Sequence, residues 1–340
     1  MVIEVLEYYM NIVDIWIALL GLTVILYVIL DGFGLGIALL FPFTHNEEER
    51  DTLMNSIAPV WDANQTWLVF GGGILLVAFP LVYGVLFSAL YIPLFTLLYG
   101  LIFRGVSFEF RMNATQKYIW DRAFFLGGLA AVAAQGLILG GFLTGTKIAG
   151  SHFAGGSFDW LNPYSLATAV GLIAGYILLA STYLIIKTTG IIQERAYNKA
   201  FRSSVVVLFF QILMITWTPF HDPKILAHWL SAPRVYFIWI FPALGLLAFT
   251  GIVKSLRARR EIMPFVFSVV FFFAGYLGLF ASIYPYAVPP GITFYDAAAQ
   301  RETLEFTLWG AAIILPVVLG YTIYRYTIFK GKVGKEGYHH

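Results

Sequence analysis

The sequence predicts an all-α integral membrane protein, and three observations support this prediction. Of its 340 residues, 59% are hydrophobic and only 12% are charged, whereas a soluble domain usually carries about 25% charged residues. Nine segments are apolar over roughly the 20 residues that cross a bilayer as a helix. Lysine and arginine, finally, are concentrated in alternate connections between these segments.

The nine predicted spans make up one polytopic domain, residues 1–340. Pro80 and Gly84 separate the second span from the third, Asn162 and Pro163 open the fifth, and Pro285 ends the eighth. The chain begins with an acidic stretch that lacks the basic region of a signal peptide, so we expect the first span to be retained. The predicted spans are 13–41, 57–79, 81–106, 121–145, 163–187, 201–220, 235–254, 262–284 and 304–329.

The distribution of basic residues predicts the orientation. With nine spans and a cytoplasmic C-terminus, 17 of the 21 lysines and arginines lie in the cytoplasmic segments or next to them, and 4 lie outside. Cytoplasmic segments of membrane proteins carry such an excess. We therefore predict that the N-terminus is outside and the C-terminus cytoplasmic.

Composition also excludes several classes of function. A net charge of +2 without a basic, aromatic-interleaved patch gives no support for nucleic-acid binding. The chain has no cysteine, which excludes disulfides, thiolate metal sites and iron–sulfur ligation. All six histidines lie in predicted loops or in the tail, so we expect neither a metal site nor haem ligands in this chain. They are His45, His152, His221, His228, His339 and His340.

Two acidic residues lie within predicted spans, where an ionised carboxylate is costly unless it is paired, hydrated or protonated. From the cytoplasmic ends of the first two spans, Asp31 lies about 15 Å deep and Asp62 about 8 Å deep. Burial raises a carboxylate pKa, so such a pair could take up protons from the cytoplasm and release them near neutral pH. The alternatives are structural: Asp62 caps a wet helix end, and Asp31 pairs with a basic residue such as Arg104. Mid-span Gln135 and Gln211 are expected to hydrogen-bond between helices.

The segment that contains Asp62 resembles a family signature. N-S-I-A-P-V-W-D-A-N-Q-T-W-L at 55–68 is similar to the N-S-I-A-P-x-W-D-x-N-Q-x-W-L motif of subunit II of the cytochrome bd-type ubiquinol oxidases. L-D-G-F-G-L-G at 30–36, F-P-L-V-Y-G-V-L-F-S-A-L-Y at 79–91 and L-I-F-R-G-V-S-F-E-F-R at 101–111 resemble further blocks in order and spacing. L-N-P-Y-S-L at 161–166 resembles the L-N-P-F-x-L segment that begins the fifth helix in the family. The resemblance is specific over the N-terminal half and weaker beyond it.

The resemblance implies a fold of two four-helix bundles plus one peripheral helix. It implies a subunit of a terminal oxidase that passes electrons from membrane quinol to oxygen, with all haem ligands in a partner, subunit I. Those haems would be of b and d type, or of b type alone. This chain would stabilise them, and its acids Asp31 and Asp62 would carry protons from the cytoplasm. Trp61, Asn64, Gln65 and Arg104 would shape that passage.

Further implications concern the composition of the complex. A structurally bound quinone and a small single-span third subunit are both compatible with the family. One departure is Gly34, which stands where the family often has a second acid, in D-G-F-D, so the role of that acid is absent or relocated. Short loops favour the cyanide-insensitive branch.

Two alternatives use the same residues differently. A proton-coupled secondary transporter would need discontinuous helices, for which Gly71–Gly73 is the candidate break. A purely structural subunit would hold inert acids.

Overall fold

The computed structural model describes residues 2–221, 223–232 and 234–333. His339 and His340 lie outside the described residues. The helices are α1 Val2–Leu40, α2 Glu47–Ile57, α3 Trp61–Ala78, α4 Pro80–Ala89, α5 Tyr91–Asn113, α6 Lys117–Leu143, α7 Pro163–Lys187, α8 Gly190–His221, α9 Pro223–Leu230, α10 Ile240–Arg257, α11 Met263–Ile283, α12 Phe294–Ala297 and α13 Arg301–Ile328. Two short antiparallel hairpins join β1 Ile148–Ala149 to β2 His152–Phe153, and β3 Tyr286–Val288 to β4 Ile292–Thr293.

The helices agree closely with the predicted spans. Within the described residues, eight helices are long and apolar enough to cross a membrane, and the bent pair α3–α4 is the ninth candidate. The fifth predicted span matches α7 at both ends. The sixth begins 11 residues earlier than predicted, at Gly190 instead of 201, because a charged extension precedes the apolar part of α8.

The third predicted span, 81–106, is wrong. The chain bends by 119° between α3 and α4 and leaves the helical conformation again at Leu90, so the membrane helix is α5, Tyr91–Asn113. Val82 and Val85 of α4 pack in one apolar cluster with Val13 and Val288. The apolar residues of α4 therefore cover the end of the bundle.

The first predicted loop also contains more structure than expected. Helix α2 lies between the first two spans, and the Asn46 side chain caps it by accepting a hydrogen bond of 2.8 Å from the Glu49 backbone N–H. Leu53 and Ile57 of α2 are buried in the main core cluster. The connection is a packed helix that closes one end of the bundle.

The spanning helices form two groups. Helix α1 packs against α3, α6 and α7, and α5 packs against α6, which gives a first group of α1, α3, α5 and α6. The second group consists of α7, α8, α10 and α11, and α13 packs outside them, mainly along α3. This is the arrangement of two four-helix bundles and a peripheral helix that the resemblance implied.

The two groups meet where α6 and α1 pack against α7, and α1 crosses α7 closely. A Cβ atom added to Gly36 would lie 1.9 Å from the backbone oxygen of Tyr176, which is too close for any side chain. Small residues at such crossings let transmembrane helices approach each other. Gly36 therefore sets the distance between α1 and α7.

Helix α7 begins with a complete capping box. The Asn162 side chain accepts a hydrogen bond of 2.9 Å from the Ser165 N–H, and Ser165 Oγ accepts one of 3.1 Å from the Asn162 N–H. We expect Asn162→Ala to cost about 1 kcal/mol of stability and to lower the thermal unfolding midpoint of the purified protein. Asn162→Ser keeps an N-cap oxygen and serves as the control. Equal midpoints for Asn162→Ala and wild type would contradict the prediction.

All the segments predicted to be cytoplasmic lie together at one end, which we call the basic face (residues 41–60, 113–117, 188–190, 258–262 and 329–333). Salt bridges connect them: Arg195 to Glu49 at 2.9 Å, Arg50 to Asp121 at 3.0 Å, Arg259 to Glu194 at 2.7 Å and Lys332 to Glu261 at 2.8 Å. At the opposite face, Trp16 Nε1 donates a hydrogen bond to the Leu304 carbonyl at 3.3 Å. The connections thus alternate between two faces, as the predicted topology requires.

Candidate functional site

The centre of the candidate site is a salt bridge between α1 and α5. Arg104 Nη1 lies 2.7 Å from Asp31 Oδ1, and neither side chain has any exposed surface. Asp31 therefore has the basic partner that the structural alternative named. A carboxylate and a guanidinium buried together retain their charges because each compensates the other.

A chain of hydrogen bonds lies beside this pair and reaches the second bundle. Tyr27 lies one helical turn before Asp31 on the same face of α1. Gln135 of α6 donates to the Tyr27 hydroxyl at 3.0 Å, and the Tyr176 hydroxyl of α7 donates to Gln135 Oε1 at 2.6 Å. The predicted interhelical role of Gln135 is confirmed. The two tyrosines were not predicted, although the four-residue spacing of Tyr27 and Asp31 was a usable signal.

Some buried polar atoms of Asp31 and Arg104 form no hydrogen bond with the described residues. Within the described part of the chain, Asp31 Oδ2 and Arg104 Nε and Nη2 are buried without a hydrogen-bond partner in the protein. Gln65 Nε2 is in the same condition on α3. Buried polar atoms in native proteins are nearly always satisfied, often by internal water. Ordered water would satisfy these atoms.

Gly34 leaves space for the Arg104 side chain beside Asp31. A Cβ atom at this position would lie 2.7 Å from Arg104 Nη2 and 3.5 Å from Asp31 Oδ1. The guanidinium of Arg104 thus occupies the space into which a side chain at position 34 would project. The second acid of the family pattern is absent from this position, and Asp31 alone faces Arg104.

Asp62 has a different environment from Asp31. It is the second residue of α3, its side chain is 53% exposed, and its Oδ1 lies 2.9 Å from Nη2 of Arg325 on α13. This is a solvated helix end with a cationic partner from the last turn of the last helix. Arg325 was not predicted as that partner, because nothing in the local sequence around Asp62 indicates it.

Asn64 joins three helices beside the two acids. Its Nδ2 donates to the backbone carbonyl of Leu30 at 2.7 Å, and its Oδ1 accepts from the Tyr326 hydroxyl at 3.0 Å. Asn64 is buried and lies next to the backbone of the residue that precedes Asp31. The start of α3 is thereby fixed against the Asp31 region of α1.

Trp61 and Gln65 are the remaining residues that the resemblance assigned to the proton passage. Both lie in the first two turns of α3. The Trp61 ring stacks on Phe108 of α5 with centroids 4.9 Å apart and planes at 4°, which closes the gap between α3 and α5. The structure thus places Asp31, Asn64 and Arg104 inside the protein. It places Asp62 at the edge of the basic face.

A resident haem does not fit the residues of this chain. His45 precedes α2 and His152 lies in the outer hairpin, while His221 ends α8 and His228 lies in the short α9. A haem inside the membrane needs axial ligands at mid-span. Within the described residues, no three His, Cys, Asp or Glu side chains come together as a metal site. We therefore derive no haem chemistry from these side chains.

Fold and site together define a class: a polytopic all-helical membrane protein with a charge pair in its core and acidic residues on its first two spans. The sequence profile of the family described as cytochrome bd terminal oxidase subunit II matches residues 12–329. The chain belongs to this family, whose members are subunits of an oxidoreductase with oxygen as electron acceptor.

Known relatives cover nearly the whole chain. The cytochrome bd-I ubiquinol oxidase subunit 2 of Escherichia coli K12 is 28% identical over 95% of each chain. The cytochrome bd ubiquinol oxidase subunit 2 of Bacillus subtilis is 26% identical over 95% of this chain and 97% of the relative. The solved bd oxidase of Geobacillus thermodenitrificans superposes with a TM-score of 0.77 at 18% identity, over 94% of this chain and 98% of that one. This last similarity concerns the fold.

Proposed function

We propose that this chain is the partner of a haem-bearing subunit I in a quinol:oxygen oxidoreductase, and that α1 and α3 carry protons from the basic face toward the site of oxygen reduction. The haems of the partner would supply the site at which oxygen takes up four electrons and four protons to form two water molecules. The side chains of this subunit hold and pass those protons. They also hold the helices against the partner.

The observation that supports the proton role is the complete burial of Asp31 beside unsatisfied polar atoms. The charge of Asp31 is compensated by one partner, Arg104, so a change in that single contact would change the protonation of Asp31. Asp62 lies at the exposed start of α3, and Gln65 lies one turn further into the same helix. Water between Gln65 and the free oxygen of Asp31 would link the two acids. In this proposal Asp62 collects protons and Asp31 receives them.

The exposed side of α3 supports a protein partner at this position. Asp62, Thr66, Val69, Gly73 and Leu76 form one exposed stripe at helical spacing. A carboxylate, a hydroxyl and a glycine on the outside of a membrane helix suit another protein surface better than lipid. A Cβ atom at Gly73 would meet nothing within 4 Å, so another helix could approach closely there. We infer that subunit I covers this stripe from Thr66 to Leu76 and leaves Asp62 open to the basic face.

The test uses the purified complex with both subunits. Asp31→Asn removes the titratable group but preserves its size, and we expect quinol-driven oxygen consumption to fall at least about tenfold with unchanged haem spectra. A tenfold change in rate corresponds to about 1.4 kcal/mol in the barrier. Asp62→Asn should slow the reaction less, because a solvated entry point is more easily bypassed.

Asp14 provides the matched control, since it is an exposed acid on α1 at the opposite face. Asp14→Asn should leave oxygen consumption unchanged. Loss of haem together with activity in Asp31→Asn would show that the acid maintains assembly only. Unchanged activity in both Asp31→Asn and Asp62→Asn would reject the proton pathway in this subunit.

The transporter alternative relied on a helix break at Gly71–Gly73. Helix α3 runs without interruption through Gly71–Gly73, from Trp61 to Ala78, so the candidate mid-membrane break is a continuous helix. A transporter would move protons when this chain is reconstituted alone. We expect no such flux without subunit I.

The remaining assignments follow the relatives and the family pattern. The relatives in E. coli and B. subtilis are named as ubiquinol oxidase subunits, so we propose a membrane quinol as electron donor and the cell inner membrane as location. A small single-span subunit and a structurally bound quinone belong to the same proposal. The cyanide-insensitive branch stays a prediction, and titration of oxygen consumption with cyanide tests it.

A further inference from the structure

A groove opens on the basic face between the ends of α1 and α7 and the starts of α2 and α8. The space enclosed within it is only about 30 Å³, roughly the volume of one water molecule, so it is a shallow groove in the surface and not a closed ligand pocket. Its wall is mostly apolar, and its charged members are Glu49, Arg195 and Lys199. The apolar lining residues include Leu40, Phe43, Leu53, Leu184 and Ile192.

The charges of the groove do not cancel. Arg195 Nη1 contacts both oxygens of Glu49, at 2.9 and 3.0 Å, so these two residues neutralise each other. Among the described residues, Lys199 has no carboxylate within salt-bridge distance, and its ammonium lies 5.0 Å from the centre of the Phe43 ring. Arg202 follows one turn later on α8, is exposed and has no salt-bridge partner in the described part. Two positive charges are thus available to an anion.

The groove continues into a lipid-facing surface. Val205, Val206, Phe209 and Ile212 follow Arg202 on the same side of α8, and their side chains are all exposed. This stripe begins where the charged extension of α8 ends and the apolar span begins. Phe43, at the rim of the groove, is 61% exposed, as expected of a side chain that inserts among lipids. Cations at the boundary with apolar residues below them fit the two ends of a phospholipid.

We propose that this groove binds an anionic phospholipid, with its phosphate at Lys199 and Arg202 and its acyl chains along Val205, Val206 and Phe209. Basic pockets between membrane helices at the cytoplasmic side recognise anionic headgroups by charge. A zwitterionic lipid would bring a second cation to the groove and bind more weakly. The site is separate from Asp31 and Asp62, and its test does not depend on the proton pathway.

The experiment measures lipid binding by native mass spectrometry on the detergent-purified complex of both subunits. Dioleoyl phosphatidylglycerol is titrated in parallel with dioleoyl phosphatidylcholine, which has the same chains and no net charge. We expect wild type to bind one phosphatidylglycerol in preference to phosphatidylcholine. Each cation near a membrane surface contributes about 1 kcal/mol to anionic lipid binding. Lys199→Gln/Arg202→Gln should therefore weaken this binding about thirtyfold.

The matched control removes two other exposed cations of the same face, Lys254 and Arg257 of α10. Lys254→Gln/Arg257→Gln should bind phosphatidylglycerol as wild type does. Arg202→Gln alone changes only an exposed residue, so it reports on binding even where the double variant is poorly assembled. Equal binding of the two lipids by wild type would overturn the proposal. Unchanged phosphatidylglycerol binding by Arg202→Gln and the double variant would do so as well.

Discussion

Replacing Arg104 with methionine is expected to remove most of the folded protein from the membrane. The guanidinium is fully buried and forms the salt bridge of 2.7 Å to Asp31. Without it, Asp31 is left as a buried charge with no compensating cation, and breaking a buried pair in this way typically costs about 3–5 kcal/mol. This is a large part of the stability of a folded domain. The yield and the thermal midpoint of the purified complex should both fall strongly.

A second variant separates the loss of charge pairing from the loss of packing. In Arg104→Met/Asp31→Asn no charge remains unpaired, so we expect recovery of most of the lost stability. Arg122→Met, at an exposed position on α6, controls for the loss of an arginine and should behave as wild type. Equal instability of the single and the double variant would show that Arg104 acts through packing rather than through charge.

Gly36→Ala is expected to be comparably severe for a different reason. The added methyl would lie 1.9 Å from the Tyr176 backbone oxygen and 2.7 Å from the Ala180 Cβ. Neither atom belongs to a flexible side chain, so α1 and α7 must move apart. Overpacking a core typically costs about 1–3 kcal/mol, occasionally more, and a clash with backbone places this change at the upper end. The separation would also disturb the hydrogen bond between Tyr176 and Gln135.

The control for this prediction is Gly320→Ala on α13. A Cβ atom there meets nothing within 4 Å, and alanine favours helix over glycine by up to about 1 kcal/mol. We expect Gly320→Ala to match or exceed wild type in thermal midpoint, whereas Gly36→Ala should unfold at a clearly lower temperature. A wild-type midpoint for Gly36→Ala would mean that the helices separate at little cost.

Much of the fold could be predicted because long apolar segments in a bilayer have few alternatives to the helix. The bounds of α7 are an example, since Asn162 and Pro163 are strong start signals. The break at Leu90 was not predictable in the same way, because Leu90, Tyr91 and Ile92 are all apolar and suit an uninterrupted helix. Pro93 was the available signal, because proline is tolerated in the first turn of a helix but not in its interior.

The candidate site, like the fold, could be predicted only in part. Asp31 and Asp62 were identified from sequence alone because charged residues inside spans are rare and costly. Their different environments were predicted only as the structural alternative, which named Arg104 for Asp31 and no partner for Asp62. Asp31 is closed in by Arg104, 73 positions away in the chain, and Asp62 is met by Arg325, 263 positions away. Such pairings depend on which helices become neighbours, and hydropathy does not encode that.

The sequence by itself determined the class of protein, the approximate spans, the distribution of basic segments and the family signature around Asp62. Each of these follows from composition or from local order along the chain. Only the tertiary structure decided that α4 covers the end of the bundle, that Gly34 faces the Arg104 guanidinium, and that Asp31 is sealed while Asp62 remains solvated. The physical reason is that side-chain burial in a helical membrane protein is set by helix crossings such as that at Gly36. Those crossings arise from contacts between residues far apart in sequence.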